Sequence, residues 1–99
     1  MLVVIGELSL APEHLRALRT EIAELIGESR RDPGCLAYNW AEDMVEPGIL
    51  RIVEYWATRE DFKNHDRSAH ATKWKDALAR YGLLGRRMTA HETAEMEEI

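Results

Sequence analysis

Residues 49–57, Ile49-Leu50-Arg51-Ile52-Val53-Glu54-Tyr55-Trp56-Ala57, carry large apolar side chains on both sides of an extended segment. Successive strand side chains point to opposite faces, so Leu50, Ile52 and Trp56 share one face while Ile49, Val53 and Tyr55 share the other. Met1 to Leu8 is similarly apolar. An antiparallel sheet with one face in water should alternate between apolar and polar, and these two strands do not. A chain of 99 residues has room for one domain, so its helices can cover only one face of a sheet. The other face is predicted to meet a second copy of itself, in a symmetric homodimer.

The remaining segments supply the frame. Pro12 suits the first position of a helix, and Leu15, Leu18, Ile22, Leu25 and Ile26 recur at helical spacing until Asp32-Pro33-Gly34 stops it. Cys35 to Met44 reads as a second strand, with Leu36, Tyr38 and Trp40 alternating against Cys35, Ala37 and Asn39. Val45-Glu46-Pro47-Gly48 turns the chain into the third strand as an antiparallel hairpin. Thr58 to Asp61 starts a short helix with an approximate capping box, and Ser68 caps a longer one whose inner face is Ala71, Trp74, Ala77, Leu78 and Tyr81. Gly82 ends that helix, Leu83 to about His91 gives a fourth strand, and residues 92–99 form an acidic tail. The predicted class is α+β: a ferredoxin-like βαββαβ unit with a four-stranded antiparallel sheet, in one domain over 1–99 with its core at about 2–91.

Several functions are set aside by composition. Thirteen basic residues against eighteen acidic ones give a net charge of −5, and no basic face is available to displace counterions from a nucleic acid. Cys35 is the only cysteine, which excludes an intrachain disulfide and any multi-cysteine zinc or iron–sulfur site. No apolar run approaches the ~20 residues that span a bilayer, and the opening segment lacks the basic start of a signal peptide, so a cytoplasmic protein with no membrane partner is expected. The six glycines form no phosphate loop or dinucleotide fingerprint, and no metal-binding spacing is recognisable. No metal or cofactor is therefore expected. Redox chemistry here would draw its electrons from the substrate.

An aromatic and histidine cluster remains. Trp56 ends the third strand, His65 the short helix, and His70 begins the long one a turn before Trp74, while Tyr38 and Trp40 lie on the neighbouring strand. Imidazole titrates near neutrality and can accept a phenolic proton, and indole and phenol rings offer flat walls to a planar ligand. His70, His65 and Trp56 are the candidate catalytic residues; Tyr38, Trp40, Glu54 and Trp74 are the candidate substrate-binding residues. His70, beside Trp74, is expected to face the cavity, and His65 to orient the inter-helix loop. An ion pair with an arginine is the simpler reading of Glu54. His14 and His91 are expected at the surface.

Asp32-Pro33-Gly34-Cys35-Leu36-Ala37-Tyr38, then Glu54-Tyr55-Trp56, then Phe62 with His65, and Ser68-Ala69-His70 resemble the antibiotic biosynthesis monooxygenase (ABM) family over roughly residues 2 to 91. The resemblance implies a dimeric α+β barrel with a pocket in each protomer between sheet and helices. It further implies oxidation of a small phenolic, quinol or polyketide-type aromatic by O2 without metal, flavin or haem, with Trp56 orienting the ring and His65 or His70 moving the proton. Members credited with anthrone oxidation often carry an Asn on the strand bearing the Trp, where Ile52 stands here. Haem-degrading relatives are an alternative, but Gly6-Glu7 stands near their strand Asn and Lys75 near their haem ligand. A dimer that binds a small aromatic without turning it over is the other alternative.

Overall fold

The computed structural model describes all 99 residues. Its elements run β1 (Leu2–Ser9), α1 (Pro12–Ala17), α2 (Arg19–Ser29), β2 (Cys35–Glu42), β3 (Ile49–Trp56), α3 (Arg59–Asp66), α4 (Ala69–Ala79) and β4 (Gly85–Glu92). The strands form one antiparallel sheet in the order β2-β3-β1-β4, the expected α+β ferredoxin-like arrangement.

The helical segment before Asp32 is two helices rather than one. The backbone departs from helical geometry at Leu18, yet Leu18 N–H still donates to His14 O at 3.0 Å and Ile22 N–H to Leu18 O at 2.9 Å. The ladder continues through the bend, so Leu15, Leu18, Ile22 and Leu25 all stay buried. Thr58 and Ser68 cap α3 and α4 as their sequences predict: their hydroxyls accept from Asp61 N–H at 3.1 Å and Ala71 N–H at 3.2 Å. Tyr81 falls beyond the end of α4 and packs on His14 instead of extending the inner face, with ring centroids 5.0 Å apart. His91 is exposed and His14 half-buried.

Register decides which side chains meet the helices. Leu2, Val4 and Leu8 of β1 lie opposite Trp56, Glu54 and Leu50 of β3, and all six are buried beneath the helices. On β2 a bulge between Cys35 and Ala37 interrupts the expected alternation. Cys35 pairs with Trp56 and joins the face of Tyr38 and Trp40, while Leu36 is pushed out to 57% exposure. The opposite face of the sheet carries Val3, Ile5, Val53 and Tyr55 at its centre, with no helix over them. No helix in the structure is long and apolar enough to cross a membrane.

Candidate active site

A cavity of about 170 Å³ lies between the helix-facing side of the sheet and α2, α3 and α4. Gly6 helps to make its floor. A Cβ there would lie 2.6 Å from the Arg87 backbone carbonyl oxygen and 2.0 Å from Met88 Sδ, so glycine lets β4 pair closely with Met88 lying across the strand and lining the space. Tyr38 and Trp40 of β2, Trp74 of α4 and His65 of α3 form the walls. Tyr38 meets the His65 ring edge-on at 5.2 Å, and Trp40 meets Trp74 edge-on at 5.4 Å, both within the range favoured by aromatic pairs.

Two of the sequence-derived candidates lie elsewhere. Trp56 does not line the cavity; it is completely buried behind the wall, with its ring 4.8 Å from His65 and its indole N–H donating to Glu54 Oε1 at 3.0 Å. The two histidines exchange their expected places. His65 is buried and faces the cavity, because α3 brings its last turn down onto β2 and β3. His70, one residue into α4, lines an outer groove between α2 and α4 with 19% of its side chain exposed.

One carboxylate joins them, at a position that reads in the sequence only as a helix stop. Asp32 Oδ2 lies 2.8 Å from His65 Nδ1 and 2.8 Å from His70 Nε2. Its position follows from the local chain. Pro33 holds Asp32 out of the helical region, Asp32 N–H donates to Ser29 O at 3.1 Å, and Cys35 N–H donates to Asp32 O at 3.1 Å. Gly34, with φ of +77°, then passes so close to Asp61 that a Cβ would sit 2.1 Å from its carboxylate. The two imidazoles and Asp32 offer three ligand-type atoms within 4.8 Å of one another, a donor set that imidazole-preferring metals accept. With Asp32 ionised, both ring nitrogens that face it carry protons and donate to it, and the three side chains then form a hydrogen-bonded proton-handling unit.

Burial sets the protonation of the site. Glu54, 3% exposed, meets no arginine, contrary to the expected ion pair; loss of water pushes its carboxyl up to about 7, partly offset by the Trp56 N–H. It therefore titrates within the cavity near neutrality. Burial lowers the pKa of His65 while the bond to Asp32 works against the shift, so the ring is neutral at physiological pH. The Tyr38 phenol is raised far above its usual range by burial and by Glu54, and stays protonated. Ser29 Oγ and Trp40 Nε1 offset this weakly, without reaching full hydrogen-bond geometry. The Cys35 thiol is pushed up by burial and by the charge of Asp32, which leaves it a poor nucleophile. With Nδ1 bound to Asp32, His65 keeps Nε2 free of any protein partner. That nitrogen can accept a proton from a ligand lying between the aromatic walls.

The model of the antibiotic biosynthesis monooxygenase family matches residues 1–77, which include Asp32, Glu54, His65 and His70. A Deinococcus radiodurans protein assigned to the antibiotic biosynthesis monooxygenases is 30% identical, with 100% of this chain and 98% of that one aligned at a TM-score of 0.90. A Nitrosomonas europaea protein with the same assignment shares the fold at 22% identity, over 96% of this chain and all of its own, with a TM-score of 0.87. Rv0793 from Mycobacterium tuberculosis shares it at 21% identity, over 98% of each chain, with a TM-score of 0.85. No curated protein matches the chain. These likenesses support a monooxygenase-like role in general terms, and by the family match and the full-length 30% identity the chain belongs to the antibiotic biosynthesis monooxygenase family.

Proposed function

We propose that the protein is a homodimeric monooxygenase that oxidises a small phenolic, quinol or polyketide-type aromatic with O2, drawing its electrons from the substrate and using no metal, flavin or haem. The observation that carries this reading is His65, tied through Nδ1 to Asp32 and open at Nε2 on the wall of an aromatic cavity. Tyr38, Trp40 and Trp74 sandwich the ring, and Glu54 meets a second oxygen on it. His65 Nε2 takes the phenolic proton, as a base that is neutral at working pH must. The phenolate passes one electron to O2, and the resulting radical pair joins to form a C–O bond on the ring. The peroxide O–O bond then breaks, so that a phenol and O2 become a quinone and one water. The enclosing helices keep bulk water from the intermediates. Trp56 acts through its neighbours, anchoring Glu54 by hydrogen bond and the His65 ring by contact.

An oxygen electrode with hydroquinones, naphthols and anthrones tests the reading. Stoichiometric O2 uptake with quinone formation is expected, and His65→Gln should lower the rate by roughly 10²–10⁴-fold with the fold intact by circular dichroism. Tight binding of these compounds without O2 uptake would replace the enzyme by a binding dimer.

A further inference from the structure

His65 and His70 approach the same oxygen of Asp32, one buried on the cavity side of the cluster and the other partly exposed in the groove between α2 and α4. Their ring centroids are 5.7 Å apart. One carboxylate neutralises one imidazolium, and a second cation at this distance, partly shielded from water, is repelled by the first. The repulsion falls more heavily on His65, because His70 reaches solvent and its cation keeps part of its hydration.

We propose that His70, through Asp32, is a positioning residue for charge: it carries the single imidazolium of the cluster at the solvent edge and so keeps the cavity base His65 unprotonated and ready. The inference rests on the assignment of His65 as the base of a monooxygenase. When His65 Nε2 takes a proton from a phenol, His70 gives up its Nδ1 proton to water in the groove. Asp32 remains a carboxylate throughout, paired first with one ring and then with the other. No electron moves in this exchange, and the charge of the cluster is unchanged.

The surroundings suit a proton outlet. The groove holds about 570 Å³, and Glu21, Glu24 and Glu28 of α2 border it opposite His70. Lys73 of α4 lies in the same groove but is paired with Glu24 at 3.2 Å. On the cavity side, the other ionisable groups are Asp66 at the end of α3, Glu54 on β3, Tyr38 on β2, Lys75 of α4, which is paired with Asp66 at 3.1 Å, and Arg86 of β4. Among these, Asp66 favours the charged form of His65, while burial and His70 oppose it.

The full-length protein with isotopically labelled histidine rings allows the test without any substrate. Ring-nitrogen NMR between about pH 5 and 8, where imidazoles titrate, should show the His65 and His70 signals each shifting in two steps. In His70→Gln, a replacement at a partly exposed position, His65 should titrate in one step with its midpoint about one unit higher. Asp32→Asn should move the His65 midpoint down, provided its circular dichroism matches the wild type; the His70→Gln result decides the matter alone if it does not. An unchanged His65 midpoint in His70→Gln overturns the proposal. With a turned-over phenol, the acidic limb of the rate profile should move up by the same amount as the NMR midpoint. If the coupling is present but no phenol consumes O2, the monooxygenase assignment fails and the charge-sharing pair stands.

Discussion

β3 presents two surfaces made from one run of residues. Leu50, Ile52, Glu54 and Trp56 lie beneath the helices, fully enclosed and with a titrating carboxyl among them. Ile49, Val53 and Tyr55 lie on the other side, as apolar as the first but half-buried at most, beside Ile5 at 47% exposure. The closed face tolerates a polar group because the fold provides a partner for it, the Trp56 N–H. The open face also carries charge, gathered toward one end of the strands: Arg51, between Ile49 and Val53, bonds to Asp43 at 3.2 Å and contacts Glu7, and Arg87 of β4 stands across from Glu7. Chemistry is thus concentrated on one side of a single strand, and association surface on the other.

Replacing Trp56 by Ala should have the largest effect on folding. The indole is completely buried, and its loss leaves a cavity costing about 3–5 kcal/mol. It also removes the one donor to Glu54 Oε1, which leaves that oxygen without a protein partner. Urea denaturation should show the midpoint falling far more than for Trp56→Phe, which keeps most of the volume. Equal losses in the two variants would mean that the closed face is not held together by this side chain.

Glu54 gives the next effect, and it depends on pH. Its carboxyl titrates near 4.5 when unfolded and at about 7 in the folded protein. Between those values the folded state holds a proton that the unfolded chain has released, so stability falls as pH rises through the window. Below 4.5 both states are protonated and no penalty exists; above about 7 the penalty is complete, about 3 kcal/mol at 1.36 kcal/mol per unit. Glu54→Gln has no such titration. Its stability relative to wild type should therefore rise from pH 4.5 to 7 and level off beyond, measured by denaturation at each pH. A difference that stays flat would show Glu54 to be ionised throughout.

The closed face is legible in the sequence in outline. Helical spacing at Leu15, Leu18, Ile22 and Leu25, capping at Thr58 and Ser68, and alternation along β3 are local patterns with local causes, and the structure keeps them. What escapes such patterns is long-range. Asp32 stands 33 positions before His65 and 38 before His70, and its place depends on Gly34 clearing Asp61. No periodicity encodes such a meeting. The sequence brings the two histidines together but puts them in the wrong spaces, because Trp74 on α4 is the only guide to where His70 points, and the groove that α2 makes with that helix has no local signature. Asp-Pro-Gly before a strand is the one available signal: an acid fixed by the proline after it, at the end of a helix whose last turn lies near the cluster.

The smallest effect on the fold of a protomer should come from the open face, and it separates the two sides of the sheet most directly. Ile5→Lys places a charge where the side chain already meets solvent in the isolated chain, so a protomer should lose no more than about 0.5 kcal/mol. In a dimer joined through this face, the lysine and its symmetry mate are both buried against apolar patches made by Val3, Val53 and Tyr55. Burying two like charges there costs far more than the substitution does inside one protomer. Light scattering on a sizing column should find the wild type at about twice 11.4 kDa at micromolar concentration. Ile5→Lys should run at the mass of one chain with its circular dichroism retained. A wild type of 11.4 kDa would leave the apolar open face unexplained by self-association, and a variant still at twice that mass would move the interface to another part of the surface.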